Sequence, residues 1–121
     1  MTTLLLLGSI AMLLAVAIGA FGAHALRHRL KPDMMKVYET GVQYQLAHGL
    51  GLLVLGSAAD RLADSSLVLT AGWLLFAGIV LFSGSLYVLS LSGIRKLGAI
   101  TPIGGLAFLA GWIVFMAAVL Q

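Results

Sequence analysis

Apolar residues fall into four long runs along this chain, separated by three short polar connectors. The runs cover roughly residues 3–23, 40–58, 67–91 and 101–120. Each is close to the ~20 residues that a helix needs to cross the ~30 Å hydrocarbon layer of a bilayer. Runs of this length exceed ordinary strands, and the connectors leave no room for a separate soluble unit. The pattern predicts an all-α protein: an integral membrane bundle of four transmembrane helices forming one domain.

Local signals sharpen these elements. In the first run Ala11, Ala15, Gly19 and Ala23 are spaced by four, which keeps them on one helix face. Small side chains there let another backbone approach closely, the main source of helix association in lipid. Ala23-His24-Ala25 has the small-x-small form of a signal-cleavage site. No Lys or Arg precedes the run, however, and it is longer than the usual signal core, so an uncleaved first helix is expected. Pro32 suits a first helical turn and Asp33 complements its dipole. The second helix is therefore expected to begin at the membrane surface, with its first two turns outside the hydrocarbon. A short turn over residues 59–66 makes spans two and three antiparallel neighbours, with Ser65 or Ser66 as the cap. Thr101-Pro102 reads as a cap and first position for the last helix, where Gly104, Ala107, Gly111 and Ala118 share a face. Gly104-Gly105 predicts a close helix crossing.

Composition agrees with a membrane class. Hydrophobic residues make up 61% and charged residues 9%, against about a quarter charged in soluble domains. Cysteine is absent, which excludes disulfides, thiolate nucleophiles and Cys-type metal sites. The net charge of +3 sits beside the apolar runs, so it points to topology and anionic lipid rather than to nucleic acid. Arg27, Arg29, Lys31 and Lys36 lie in the first connector and Arg95 and Lys96 in the third, while the second holds only Arg61. The positive-inside rule then places connectors one and three in the cytoplasm and both termini outside.

Most of the polar side chains inside the greasy runs lie in one stretch, Glu39 to Gly51. At about 100° per residue, Glu39 and Gln43 occupy one side of that helix and Gly41, Tyr44, Gln45 and His48 the other. A helix polar on two sides cannot turn either to lipid without cost. One side should meet its own bundle and the other a second subunit, a partner protein or a water-filled recess. His48 lies roughly 13 Å deeper than Glu39, near mid-membrane. It reads either as a proton-handling or ligand-binding group, or as a neutral histidine bonded to Ser83, Ser85 or a tyrosine. Glu39 is expected to pair with Lys36 or Arg27 at the interface. His24 and His28 have the i, i+4 spacing of a metal pair. No third or fourth ligand is evident, so no metal is expected, nor any cofactor. Gly104-Gly105 lacks the lysine of a phosphate-binding loop, and no serine has a base and carboxylate suitably placed. Trp73 and Trp112 read as interface anchors and packing groups. The candidate functional cluster is His48, Gln45, Tyr44, Gln43, Glu39, Ser83, Ser85 and His24.

Four motifs occur in order: Gly19-Ala-Phe-Gly-Ala-His-Ala-Leu26, Thr40-Gly-Val-Gln-Tyr-Gln45 with His48, Phe82-Ser-Gly-Ser-Leu-Tyr87 and Gly98-Ala-Ile-Thr-Pro-Ile-Gly-Gly105. Together they resemble the YgdD/YwdK-like small membrane proteins, the family called domain of unknown function 423, over nearly the whole chain. The resemblance implies a four-span protein of the bacterial inner membrane, with relatives in eukaryotes, and brings no established activity. From the residues, the chain is expected to be a non-enzymatic structural or accessory protein that self-associates or binds another membrane protein. The alternative is a small channel or transporter with a path through Gln43, Gln45, His48 and Ser83. The nearly pure apolar character of Leu50–Leu55 favours the first reading.

Overall fold

A computed structural model describes residues 1–121 as four helices and no strand. Helix α1 spans Thr2–Leu26, α2 Pro32–Ala58, α3 Ser65–Ser92 and α4 Thr101–Leu120. A 3-10 turn, Arg95–Ala99, leads into α4. Helices α1 and α3, and α4 with its leading turn, are each long and apolar enough to cross a membrane. Helix α2, at 27 residues, is long enough as well; its polar stretch lowers its hydropathy, and it occupies the centre of the bundle.

The architecture is two antiparallel pairs, α1 with α2 and α3 with α4, joined where α2 faces α3. The half of the bundle nearest the second connector is apolar, with Leu4, Leu52, Leu55, Val68 and Leu75 fully buried. Polar side chains are packed into the other half. Outward faces carry Leu6, Leu13, Val16, Leu106, Leu109 and Ile113, all exposed, which suits a lipid solvent.

Small residues set the spacing between helices. Gly8, Ala11 and Ala15 of α1 are buried against α2, but Ala23 is exposed and does not continue the ridge. The reason is a π turn over Gly22–Leu26, whose wider winding rotates the face and buries Gly22 and Leu26 instead. Gly22 lies under the ring of Tyr38, whose hydroxyl donates to the carbonyl of Ile18 at 2.5 Å. A second π turn, Ile79–Ser83, interrupts α3. On α4, Gly104 is pressed against the backbone of Phe82, and a Cβ there would lie 2.7 Å from Phe82 Cα.

The helix starts depart in part from the expected caps. Pro32 opens α2. Helix α3 is capped by Asp64 rather than by Ser65 or Ser66: its Oδ1 accepts from the backbone N–H of Ser66 at 3.0 Å and of Leu67 at 3.2 Å. An aspartate one residue earlier reaches two orphan amides, and Ser66 instead donates its hydroxyl to the same oxygen at 2.5 Å. Thr101 forms no cap; its hydroxyl pairs with Ser85 at 2.6 Å. The Ser66 hydroxyl, with the Leu67 and Ser66 amides, holds the Asp64 carboxyl below the usual carboxylate range. A lowered folded-state pKa contributes stability above the ordinary aspartate pKa that is lost as pH falls through the folded value. Asp64→Ala is therefore expected to lower the detergent melting temperature at pH 7, and the difference from wild type to close in strong acid.

Candidate functional site

The polar side chains of α2 separate into two groups. Gln45 and His48 are buried at 3% and 8% exposure, whereas Glu39, Gln43 and Tyr44 are exposed. Gln45 brackets three helices. Its amide Nε2 donates to the Ala11 carbonyl of α1 at 2.9 Å, and its Oε1 accepts from the Tyr87 hydroxyl of α3 at 2.6 Å. The bare Cα of Gly41, one turn earlier, lies beneath the Tyr87 ring, so this glycine opens the path by which the phenol reaches Gln45. Ser83 is fully buried in the π turn of α3 and donates to the Gly41 carbonyl at 2.7 Å. Ser85, buried at 6%, donates to the Phe82 carbonyl at 2.9 Å or pairs with Thr101. These bonds tie α2 to α1 and α3, and α3 to α4.

His48 takes its partners from an unexpected direction. Its Nδ1 lies 2.9 Å from the Tyr44 carbonyl and its Nε2 lies 3.1 Å from the indole Nε1 of Trp112. A carbonyl only accepts and an indole N–H only donates, so the ring carries its proton on Nδ1 and is neutral. The ring stacks on Phe108 with centroids 3.6 Å apart and planes at 14°. Neither Ser83 nor Ser85 reaches it, because both have turned to other partners. Tyr44, Phe82, Phe108 and Trp112 surround His48 and border a recess of about 410 Å³. Trp112 is thus a bonded member of the polar core as well as a packing group. Trp112 lies four residues past Phe108 and hence on the same face, a spacing that groups the two aromatics but does not by itself tie them to His48. Trp73 is 48% exposed and meets Phe76 edge-on.

The remaining candidates lie away from this core. Glu39 and Gln43 line a shallow recess of about 180 Å³ with Arg27, Tyr38 and Ala23, and Glu39 is not joined to Lys36 or Arg27 by an ion pair. His24 is exposed in the π turn of α1, apart from His48. No three His, Asp or Glu side chains converge as a metal cluster would require. Every buried side-chain nitrogen and oxygen has a hydrogen-bond partner, so the core holds its polar groups in fixed pairs.

The family described as "Protein of unknown function (DUF423)" matches residues 18–105, a span that contains all four sequence motifs. The chain belongs to the DUF423 family. It is 52% identical over 121 residues to the UPF0382 membrane protein YwdK of Bacillus subtilis, covering 100% of this chain and 98% of that one. It is 49% identical over 116 residues to a UPF0382 membrane protein of Staphylococcus haemolyticus, covering 96% and 93%. A third relative, from a bovine strain of Staphylococcus aureus, is 45% identical over 118 residues, covering 98% and 95%. No solved structure matches. For this DUF423 protein, the His48–Trp112 bond offers a direct measurement of what the core contributes. In a double-mutant cycle with His48→Phe and Trp112→Phe, each single change is expected to cost about 1–2 kcal/mol. The coupling should be roughly 0.6 kcal/mol, the average for interhelical bonds in lipid, and at most about 1.7. Reversible unfolding in mixed micelles reads both.

Proposed function

We propose that this DUF423 protein is a non-enzymatic accessory protein of the bacterial inner membrane that self-associates through the outward side of α2. What carries the reading is the division of α2's polar groups. Gln45, His48 and their partners are bonded inside the chain, while Glu39 and Gln43 point outward with no bond to the rest of the chain. With α2 embedded, Gln43 lies about a turn below Glu39, where an unpaired amide in hydrocarbon costs free energy. Arg27 and Glu39 border the same recess, so a two-fold contact would bring the arginine of one copy to the glutamate of the other. The basic first and third connectors favour a cytoplasmic position, with both termini outside.

The closed bonding of the core favours this reading over a conduction path. Gln45, His48 and Ser83 would have to give up their bonds to neighbouring helices before they could solvate a passing ion or molecule. The test is native mass spectrometry of the protein released from mild detergent. Wild type is expected as a discrete oligomer, and Gln43→Leu as mostly monomer. Monomers for both proteins would overturn self-association.

A further inference from the structure

Between the first and third connectors lies a recess of about 340 Å³, lined by Arg29, Lys31 and Asp33 on one side and Ser90, Leu91 and Arg95 on the other. Three cations face one carboxylate, and the cations come from two separate connectors brought together by the packing of α2 on α3. Arg29, Lys31 and Arg95 are all exposed, and their charged ends form no ion pair within the chain. The nearby serines are already committed: Ser90 donates to the Tyr87 carbonyl and Ser92 to the Val88 carbonyl. The recess thus offers excess positive charge to an incoming anion.

A second feature says which anion. Leu91 also lines a neighbouring groove of about 320 Å³ whose other walls are Ala17, Ile18, Phe21, Tyr38 and Tyr87. The hydroxyls of Tyr38 and Tyr87 are turned inward to Ile18 and Gln45, so the two rings offer carbon to the groove. A basic recess at a helix end that shares Leu91 with an adjoining apolar groove matches an amphiphile with a phosphate head and a hydrocarbon tail. We propose that the recess holds the headgroup of an anionic glycerophospholipid, and that one of its acyl chains lies in the groove between α1 and α3. Arg29, Lys31 and Arg95 would hold the phosphate by charge-assisted bonds, as basic pockets between membrane helices on the cytoplasmic side do. The proposal rests on the membrane setting and on the positive-inside orientation. It does not require self-association: the Glu39–Gln43 recess, lined by α1 and α2, shares only Tyr38 with the groove and nothing with the basic recess.

The experiment is lipid retention by native mass spectrometry on the detergent-purified full chain. Phosphatidylglycerol, phosphatidylcholine of the same acyl chains, and inorganic phosphate are added in turn. One phosphatidylglycerol per chain is expected to be retained at least tenfold better than phosphatidylcholine, with inorganic phosphate failing to displace it. Removing two cations from a membrane-surface site lowers affinity about thirtyfold, so Arg29→Gln with Arg95→Gln should lose the bound lipid to that extent. Arg61→Gln, at the opposite connector, should retain it. Ala17→Trp fills the groove without touching any charge and is also expected to weaken retention. Equal retention of the two lipids by wild type would overturn the proposal, as would undiminished retention by the double variant. Displacement by inorganic phosphate alone would assign the recess to free phosphate and overturn the lipid site.

Discussion

Gly104→Ala is expected to be among the most damaging single-methyl changes in this protein, and Gly105→Ala, its neighbour, among the mildest. A Cβ at Gly104 would lie 2.7 Å from Phe82 Cα and closer still to Phe82 N, whereas at Gly105 the nearest atom is Phe82 Cδ2 at 4.0 Å. A side-chain obstacle can change rotamer, but a helix backbone can yield only by moving the helix. Here that means separating α3 from α4 along the line where Ser85 meets Thr101 and Phe82 meets Phe108. Overpacking of this kind costs typically 1–3 kcal/mol and more where the backbone cannot shift. The larger end is expected here. Thermal unfolding of the two variants in the same detergent is the measurement, and equal melting temperatures would contradict the close crossing.

The second large effect is expected at Gln45. Replacing it by leucine keeps the volume roughly constant but removes both bonds that clasp α1 and α3 onto α2. It also leaves the Tyr87 hydroxyl stranded. Two interhelical bonds at about 0.6 kcal/mol each on average and about 1.7 at most, with about 1–3 kcal/mol for an orphaned buried donor, give an expected loss of roughly 2–6 kcal/mol. Tyr87→Phe removes one bond and strands only an acceptor, so it should cost about 1 kcal/mol. Combining the two should recover part of the Gln45→Leu loss, because no hydroxyl is then left unpaired. If Gln45→Leu were as stable as wild type, the amide would be a passenger rather than a clasp.

How far these features could be read in advance depends on their range. The four apolar runs, the start of α2 at Pro32 and the two-sided character of α2 follow from local periodicity, which survives folding. The division of Glu39 and Gln43 from Gln45 and His48 is visible at 100° per residue because α2 is a regular helix throughout. The partner of His48 was not legible, since two helices could supply it and the choice depends on the rotation of α4 about its own axis. Ala23 was misplaced for a different reason: the π turn at Gly22 has no strong residue signature, yet it shifts every following position around the helix. At the start of α3, three adjacent cap-forming residues compete, and the carboxylate of Asp64 wins by reaching two amides at once.

The π turn at Ile79–Ser83 also divides α3 into two segments of different rotational phase. Before it, Val68, Ala71 and Leu75 point into the apolar half; after it, Ser85, Leu86 and Ser90 are the buried positions. In a regular helix, removing one residue turns all that follow by about 100°. The π turn holds one residue more than an α turn, so a single deletion inside it can close to regular helix and leave the distal half of α3 in place. The same deletion in the regular segment Gly84–Ser92 has no such slack and turns the residues after it out of register. Residue count beyond the π turn is thus a structural parameter in its own right, setting how the two halves of the bundle are geared to one another.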